Sequence, residues 1–162
     1  MYSSRMNDQD TIRLRNSLLA PLPEYRLPPG IVIAGFNRCQ ARQAHALMVE
    51  AYQAGGGDVA AFDAWWSNLV NDDEYDETSF FVALDQTGRM VGLAQCWRVP
   101  FVKDLVVAAD WRRKGLGEAL LLHAFSFFQR KGEPYIDLKV DRDNPSGAMR
   151  LYSRVGMKPI QA

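Results

Sequence analysis

The sequence is short of the features that would set it apart from an ordinary folded domain. Its 162 residues include two cysteines, Cys39 and Cys96, too few for a disulfide framework and too far apart for a paired-thiolate metal site. Both read as packing residues in a reducing compartment. Neither sign of charge is in excess, with 19 basic and 19 acidic side chains. No global field is therefore available to hold nucleic acid or an anionic membrane, and any phosphate site must be built locally. No apolar run approaches the roughly 18 residues that a membrane span needs, and the N-terminal stretch lacks the unbroken apolar centre of an export signal. The expectation is a soluble, cytoplasmic protein without nucleic-acid or membrane partners. What is present, 48% apolar and 23% charged residues with no repeat, suffices for one core.

Residues 1–30 are polar and then punctuated by Pro21, Pro23, Pro28 and Pro29, which exclude a continuous helix or central strand. They read as an N-terminal arm ahead of one domain over 31–162. Ile31-Val-Ile-Ala34 has strand length, and Asn37 with Gln40 forms a capping box for a helix carrying Ala41, Ala44, Met48 and Ala51 on one stripe. After Gly55-Gly-Gly57, Asp58 is expected to cap a second helix with Val59, Phe62, Trp66 and Leu69 inward and Trp65 beside them. Residues 79–84 and 89–99 read as a hairpin about Asp85-Gln-Thr-Gly88. In residues 102–107, Val102, Asp104 and Val106 alternate with Lys103, Leu105 and Val107. A long helix over 115–130 follows, then a strand with Ile136, Leu138 and Val140 on one face. Asn144-Pro145 opens a short helix that stops at Gly156, and 157–160 form a last strand. This order, β-α-α-β-β-β-α-β-α-β, predicts an α/β fold with a mixed, mostly antiparallel central sheet flanked by helices.

The most informative stretch lies between the third strand of the run and the long helix. The first amides of a helix have no intrahelical partner and the macrodipole adds positive charge, so this end suits an anion. Gly115 and Gly117 let phosphate oxygens approach the backbone, while Arg112, Arg113 and Lys114 add formal charge. A P-loop would need GxxxxGK followed by Ser or Thr, which is absent. A dinucleotide fold would want a third glycine where Leu120 stands and a parallel setting near the N-terminus. A surface helix with a basic start remains an alternative for the hexapeptide taken alone. Arg112-Arg-Lys-Gly-Leu-Gly117 resembles the R-x-x-G-x-G coenzyme A signature of the GCN5-related N-acetyltransferases (GNAT), with Leu105-Val-Val107 in place of that family's fourth strand. The likeness runs over about 31–160 and includes the region from Asn144 through Tyr152 to Gly156-Met157.

The resemblance implies the acyl-CoA N-acyltransferase fold, acetyl-CoA as co-substrate without a metal, and transfer to a primary amine of a small molecule or peptide by direct attack. The backbone at Leu105 and Val107 would pair with the pantetheine arm. Arg112, Arg113, Lys114, Gly115, Leu116, Gly117 and Glu118 would surround the pyrophosphate, and Asn144 would contact the pantetheine. An amide of Val106 or Val107 would polarise the thioester carbonyl. Tyr152 would sit by the sulfur as general acid, its phenol protonated at neutral pH with an ordinary pKa of about 10, or else merely pack its helix. Relatives place a glutamate base just before the aspartate of the fourth strand, where this chain has Lys103. Asp104 substitutes for it or holds the acceptor, or a chain of waters removes the proton. His45 and His123 read as surface or core residues, and the acidic stretch from Asp72 to Glu77 as a solvated loop or a lure for a cationic amine. Relatives also carry two strands after the last helix, and this chain has room for one. The sheet then lacks an edge, borrows one in a homodimer, or recruits the N-terminal arm. A non-catalytic acyl-CoA sensor on the same fold is the competing function.

Overall fold

The computed structural model describes residues 10–54, 57–143 and 147–161. Its elements are β1 (Thr11–Ser17), β2 (Val32–Gly35), α1 (Ala41–Ala54), α2 (Phe62–Val70), β3 (Tyr75–Leu84) and β4 (Met90–Trp97), followed by β5 (Phe101–Val107), α3 (Leu116–Arg130), β6 (Tyr135–Asp141), α4 (Ala148–Arg154) and β7 (Lys158–Pro159). Local chemistry accounts for most boundaries. Asn37 Oδ1 accepts the Cys39 amide at 3.0 Å, and Gln40 Oε1 accepts the Asn37 amide at 2.9 Å, which closes the expected capping box at the entrance to α1. Asp85 Oδ1 accepts the amides of Thr87 and Arg89, and Gly88 at φ 84° completes the β3–β4 turn.

Two local expectations change. Asp58 takes its own neighbour's amide, that of Val59, while α2 begins behind Ala61 without a side-chain cap, so Trp65 and Leu69 are the buried pair and Trp66 lies half-buried. The last helix starts at Ala148 behind Gly147, which has φ 74°, and the predicted Asn144-Pro145 opening lies outside the described residues.

The seven strands form one sheet in the order β2-β3-β4-β5-β6-β1-β7. Neighbours are antiparallel except β5 and β6, which run parallel. That parallel pair is short. Its register holds only Phe101↔Asp137 and Val102↔Leu138 among the described residues, after which β5 continues through Val107 and β6 through Asp141 without pairing to each other. The two strands therefore part into a split that opens toward their C-terminal ends. Helices cover both faces: Tyr52 of α1 reaches Asp104, whereas α3 lies on Gly92, the ladder partner of Val107. Residues 104 and 107, three apart, point to opposite faces. Among the described residues no helix is long and apolar enough to cross a membrane.

β1 is an addition to the predicted order. It pairs with β6 along its whole length, from Thr11↔Asp141 to Ser17↔Tyr135, and with β7 at Leu14↔Pro159 and Arg15↔Lys158. Of the three ways to complete the sheet, the chain uses its own arm. Leu14 is buried beneath the sheet, and Arg13 and Arg15 lie alongside Asp137, whose side chain is wholly buried. The prolines that argued against a strand all follow β1, in the connection to β2.

Candidate active site

The turn between β5 and α3 is built to turn amides outward. A short 3₁₀ segment, Ala109–Trp111, leaves the strand, and Arg113 (φ 61°) and Gly115 (φ 81°) both take left-handed conformations before α3 begins at Leu116. Arg113 is the one non-glycine residue of positive φ among those described, an uncommon backbone conformation of the kind that clusters at ligand sites. Among the described residues, no hydrogen bond originates from the main-chain amides of Lys114, Gly115, Leu116, Gly117 or Glu118. Arg112, Arg113 and Lys114 are exposed around them, with Lys114 Nζ 4.8 Å from the centre of the Trp111 ring. The nearby Asp110 is engaged elsewhere, accepting from Arg89 at 2.8 and 3.1 Å. The hydrogen bond from Arg89 holds its carboxyl below the usual range. The turn therefore offers free donors and uncompensated cations, which fits a linked pair of phosphoryl groups.

Gly117 brings three elements together. A Cβ there would lie 3.4 Å from Leu151 Cδ2 of α4 and 3.7 Å from Val107 Cγ2 of β5. Glu118 reaches α4 as well, through an ion pair with Arg154 at 3.3 Å, so its side chain is spoken for and only its amide faces the turn. Tyr152 follows Leu151 on α4, half-buried, and burial pushes its phenol above the ordinary value. Tyr152 thus lies on the helix that meets the turn, while Leu105, Val106 and Val107 offer backbone that no strand pairs on the β6 side among the described residues. Asp104 occupies the other face of β5. It is 5% exposed, and Oδ1 accepts from the Tyr52 hydroxyl at 2.7 Å while Oδ2 meets Lys103 Nζ at 3.2 Å. Asn144 lies outside the described residues.

Residues 41–157 match the Acetyltransferase (GNAT) family. The chain belongs to that family. Mycothiol acetyltransferase of Renibacterium salmoninarum is 29% identical over 158 residues, which is 89% of this chain and 46% of that protein. A GCN5-related N-acetyltransferase from Sphaerobacter thermophilus superposes with a TM-score of 0.81 at 25% identity, covering 93% of this chain and 48% of that one. The ribosomal-protein-S18-alanine N-acetyltransferase of Escherichia coli shares the fold at a TM-score of 0.62 and 22% identity, over 78% of this chain and 76% of that one. The chain spans about half the length of the curated mycothiol acetyltransferase it matches.

For this GNAT chain, the structure brings the predicted turn, at Gly117, against Val107 of β5 and against α4, the helix that carries Tyr152. It sets Asp104 apart, on the α1 face. Tyr52 was missed. The signal was available: Tyr52 stands four residues after Met48, on the inward stripe of α1, as a polar-tipped aromatic turned toward the sheet. Among the described residues no cluster of three His, Cys, Asp or Glu side chains is arranged to hold a metal.

Proposed function

We propose that this GNAT chain transfers the acetyl group of acetyl-CoA to a primary amine of a small molecule or peptide by direct attack. The observation that carries the reading is the set of amides over 114–118 without partners among the described residues, beside three cations, at the mouth of a split where β5 beyond Val102 pairs with no described residue of β6. The turn grips the pyrophosphate, and the β5 backbone at Leu105 and Val107 receives the pantetheine arm as an added strand. The bound thioester supplies an activated acyl group. The chain supplies polarisation of its carbonyl, through the amide of Val106 or Val107, and the Tyr152 proton for the departing thiolate. Burial raises the Tyr152 pKa above the ordinary phenol value, so this acid stays protonated across the neutral range.

Calorimetry with acetyl-CoA and a thiol-release assay over a panel of amines test this. The panel holds an N-terminal-alanine peptide, glucosamine and spermidine. Gly117→Asp should abolish acetyl-CoA binding, since a carboxylate would take the phosphate seat while the new Cβ makes only ordinary contact with Leu151 at 3.4 Å. Tyr152→Phe should bind normally and turn over about 10²-fold more slowly. Undiminished binding in Gly117→Asp would overturn the phosphate assignment. Binding without thiol release for any amine would leave an acyl-CoA sensor.

A further inference from the structure

Asp104 is the obvious replacement for a missing carboxylate base, yet its surroundings keep it from touching an acceptor. It is only 5% exposed, and Tyr52 already engages Oδ1 while Lys103 engages Oδ2. The group that can meet an incoming amine is the half-buried phenol that Asp104 holds. We infer that the Tyr52 hydroxyl, positioned by Asp104, receives the ammonium proton of the acceptor. This inference rests on the acetyltransferase reading given above.

Position supports it. β5 and β6 part directly after Val102, so Asp104 stands where the split begins, and Val106 follows about 7 Å along the strand at the usual rise. The register of β4 against β5 also shifts here, from Gln95↔Asp104 to Cys96↔Val102, leaving Lys103 as the extra residue of a bulge. Lys103 Nζ, 5.2 Å from the Trp97 ring centre, is thereby held against Asp104. Tyr52 approaches from α1 and closes the same spot from above the sheet.

A second observation concerns where the proton goes. Gln95, opposite Asp104 on the ladder, is 2% exposed, and its Oε1 is buried with no donor. Cross-strand partners lie about 5 Å apart at Cβ. A proton on Asp104 supplies a donor beside an acceptor that lacks one, which offsets part of the penalty for an unsatisfied buried oxygen. The other groups around Asp104 cannot compete for the proton. Lys103 already donates to Asp104, and the buried Cys96 thiol is pushed up by desolvation and then by the charge of Asp104.

The step balances without a further reactant. One N–H proton of the ammonium passes to Tyr52 Oη as the phenol's own proton passes to Asp104, leaving a neutral amine, a neutral phenol and a carboxylic acid. The amine forms the new C–N bond, the C–S bond breaks, and the thiolate takes the Tyr152 proton. The second proton from nitrogen restores Tyr152, and Asp104 returns its proton to water through Tyr52. Tyr52 touches substrate and is catalytic in this scheme. Asp104 is a positioning residue.

The experiment measures acetyl-CoA affinity and kcat/KM from pH 6 to 10 for Tyr52→Phe, Asp104→Asn and the double variant, with the panel amine giving the highest turnover. The expected result is unchanged acetyl-CoA affinity and a loss of about 10²-fold in kcat/KM at pH 7 in each single variant. The double variant should lose no more than either single one, because the two groups act as a unit. The deficit should shrink as pH approaches the amine's own pKa, where the free base is abundant. A deficit constant with pH would make the pair merely structural and overturn the inference, as would wild-type rates in Tyr52→Phe. Absence of transfer by the wild-type protein to every amine, with acetyl-CoA bound, would instead overturn the acetyltransferase reading and this inference together.

Discussion

Among single residues, Asp137 shows how a charge can lie wholly inside the sheet. Its side chain has no exposure, yet Arg13 Nε and Arg15 Nε each donate to it at 2.7 Å, and a second Arg15 nitrogen donates at 2.9 Å. Arg15 also lies 3.6 Å from the Tyr135 ring centre, which fixes its plane. Burial alone would raise the pKa of this carboxyl. The hydrogen bonds from Arg15 and Arg13 outweigh it and hold the value below the ordinary one. A depressed folded-state pKa means that the contribution to stability is complete above the unfolded value of about 4 and is lost as pH falls through the folded one. His123 titrates in a separate window: burial lowers its pKa, so its contribution is lost as pH falls below about 6.5. Asp137→Asn should therefore lower the melting temperature at pH 7 by roughly 5–10 °C, for a loss of about 2–3 kcal/mol. At pH 3 the two proteins should melt closer together. Melts at both pH values check this, and an equal gap at pH 3 would remove Asp137 from the acid response.

Single elements were legible wherever their ends are written in neighbouring side chains. The capping box at Asn37, the Asp85 turn and the burial of Val102, Asp104 and Val106 all follow from residues a few positions apart. The start of α2 was not, because a capping aspartate competes with its own local turn, and Asp58 took the latter. Packing between elements leaves a fainter trace. Gly92 reads as an ordinary residue of a strand, but a Cβ there would lie 2.9 Å from Leu120 Cδ1 and 3.3 Å from both Leu116 Cδ2 and the Val106 carbonyl oxygen. Its bareness lets α3 sit close on β4, and so sets how far the helix start stands from the split. Leu116 is the first residue of that helix, directly after Gly115. Gly92→Ala should push α3 outward, costing about 1–3 kcal/mol, and should weaken acetyl-CoA binding although residue 92 lies outside the turn. Calorimetry beside a thermal melt checks both. A destabilised variant that binds acetyl-CoA as tightly as wild type would show that the helix start is positioned by β5 and α4 instead.

For the whole molecule, the part least legible was how the sheet is finished. Thr11-Ile-Arg-Leu-Arg-Asn-Ser17 carries two arginines in seven residues and precedes a proline-rich stretch, so it reads as an arm in solvent. The arginines are spent on Asp137, a partner more than 120 residues away whose own partners the local sequence does not reveal. The same strand covers both β6 and β7, and β7, two residues long, has β1 as its neighbour in the sheet. Removing residues 1–17 should thus be felt through the whole fold. It deletes the buried Leu14, worth about 2–3 kcal/mol of burial. It also leaves Asp137 buried without either cation, a loss of about 3–5 kcal/mol. Together these approach the whole stability of a typical domain, about 5–15 kcal/mol. The truncated chain should lack a cooperative thermal transition and fail to bind acetyl-CoA, although every residue assigned to the turn, β5 and α4 is still present. A synthetic peptide of residues 9–19 added in excess should restore both by pairing with β6. A truncated chain that melts cooperatively at the wild-type temperature would show that β6 and β7 hold the sheet without this strand, and that Asp137 finds its neutralising charge elsewhere.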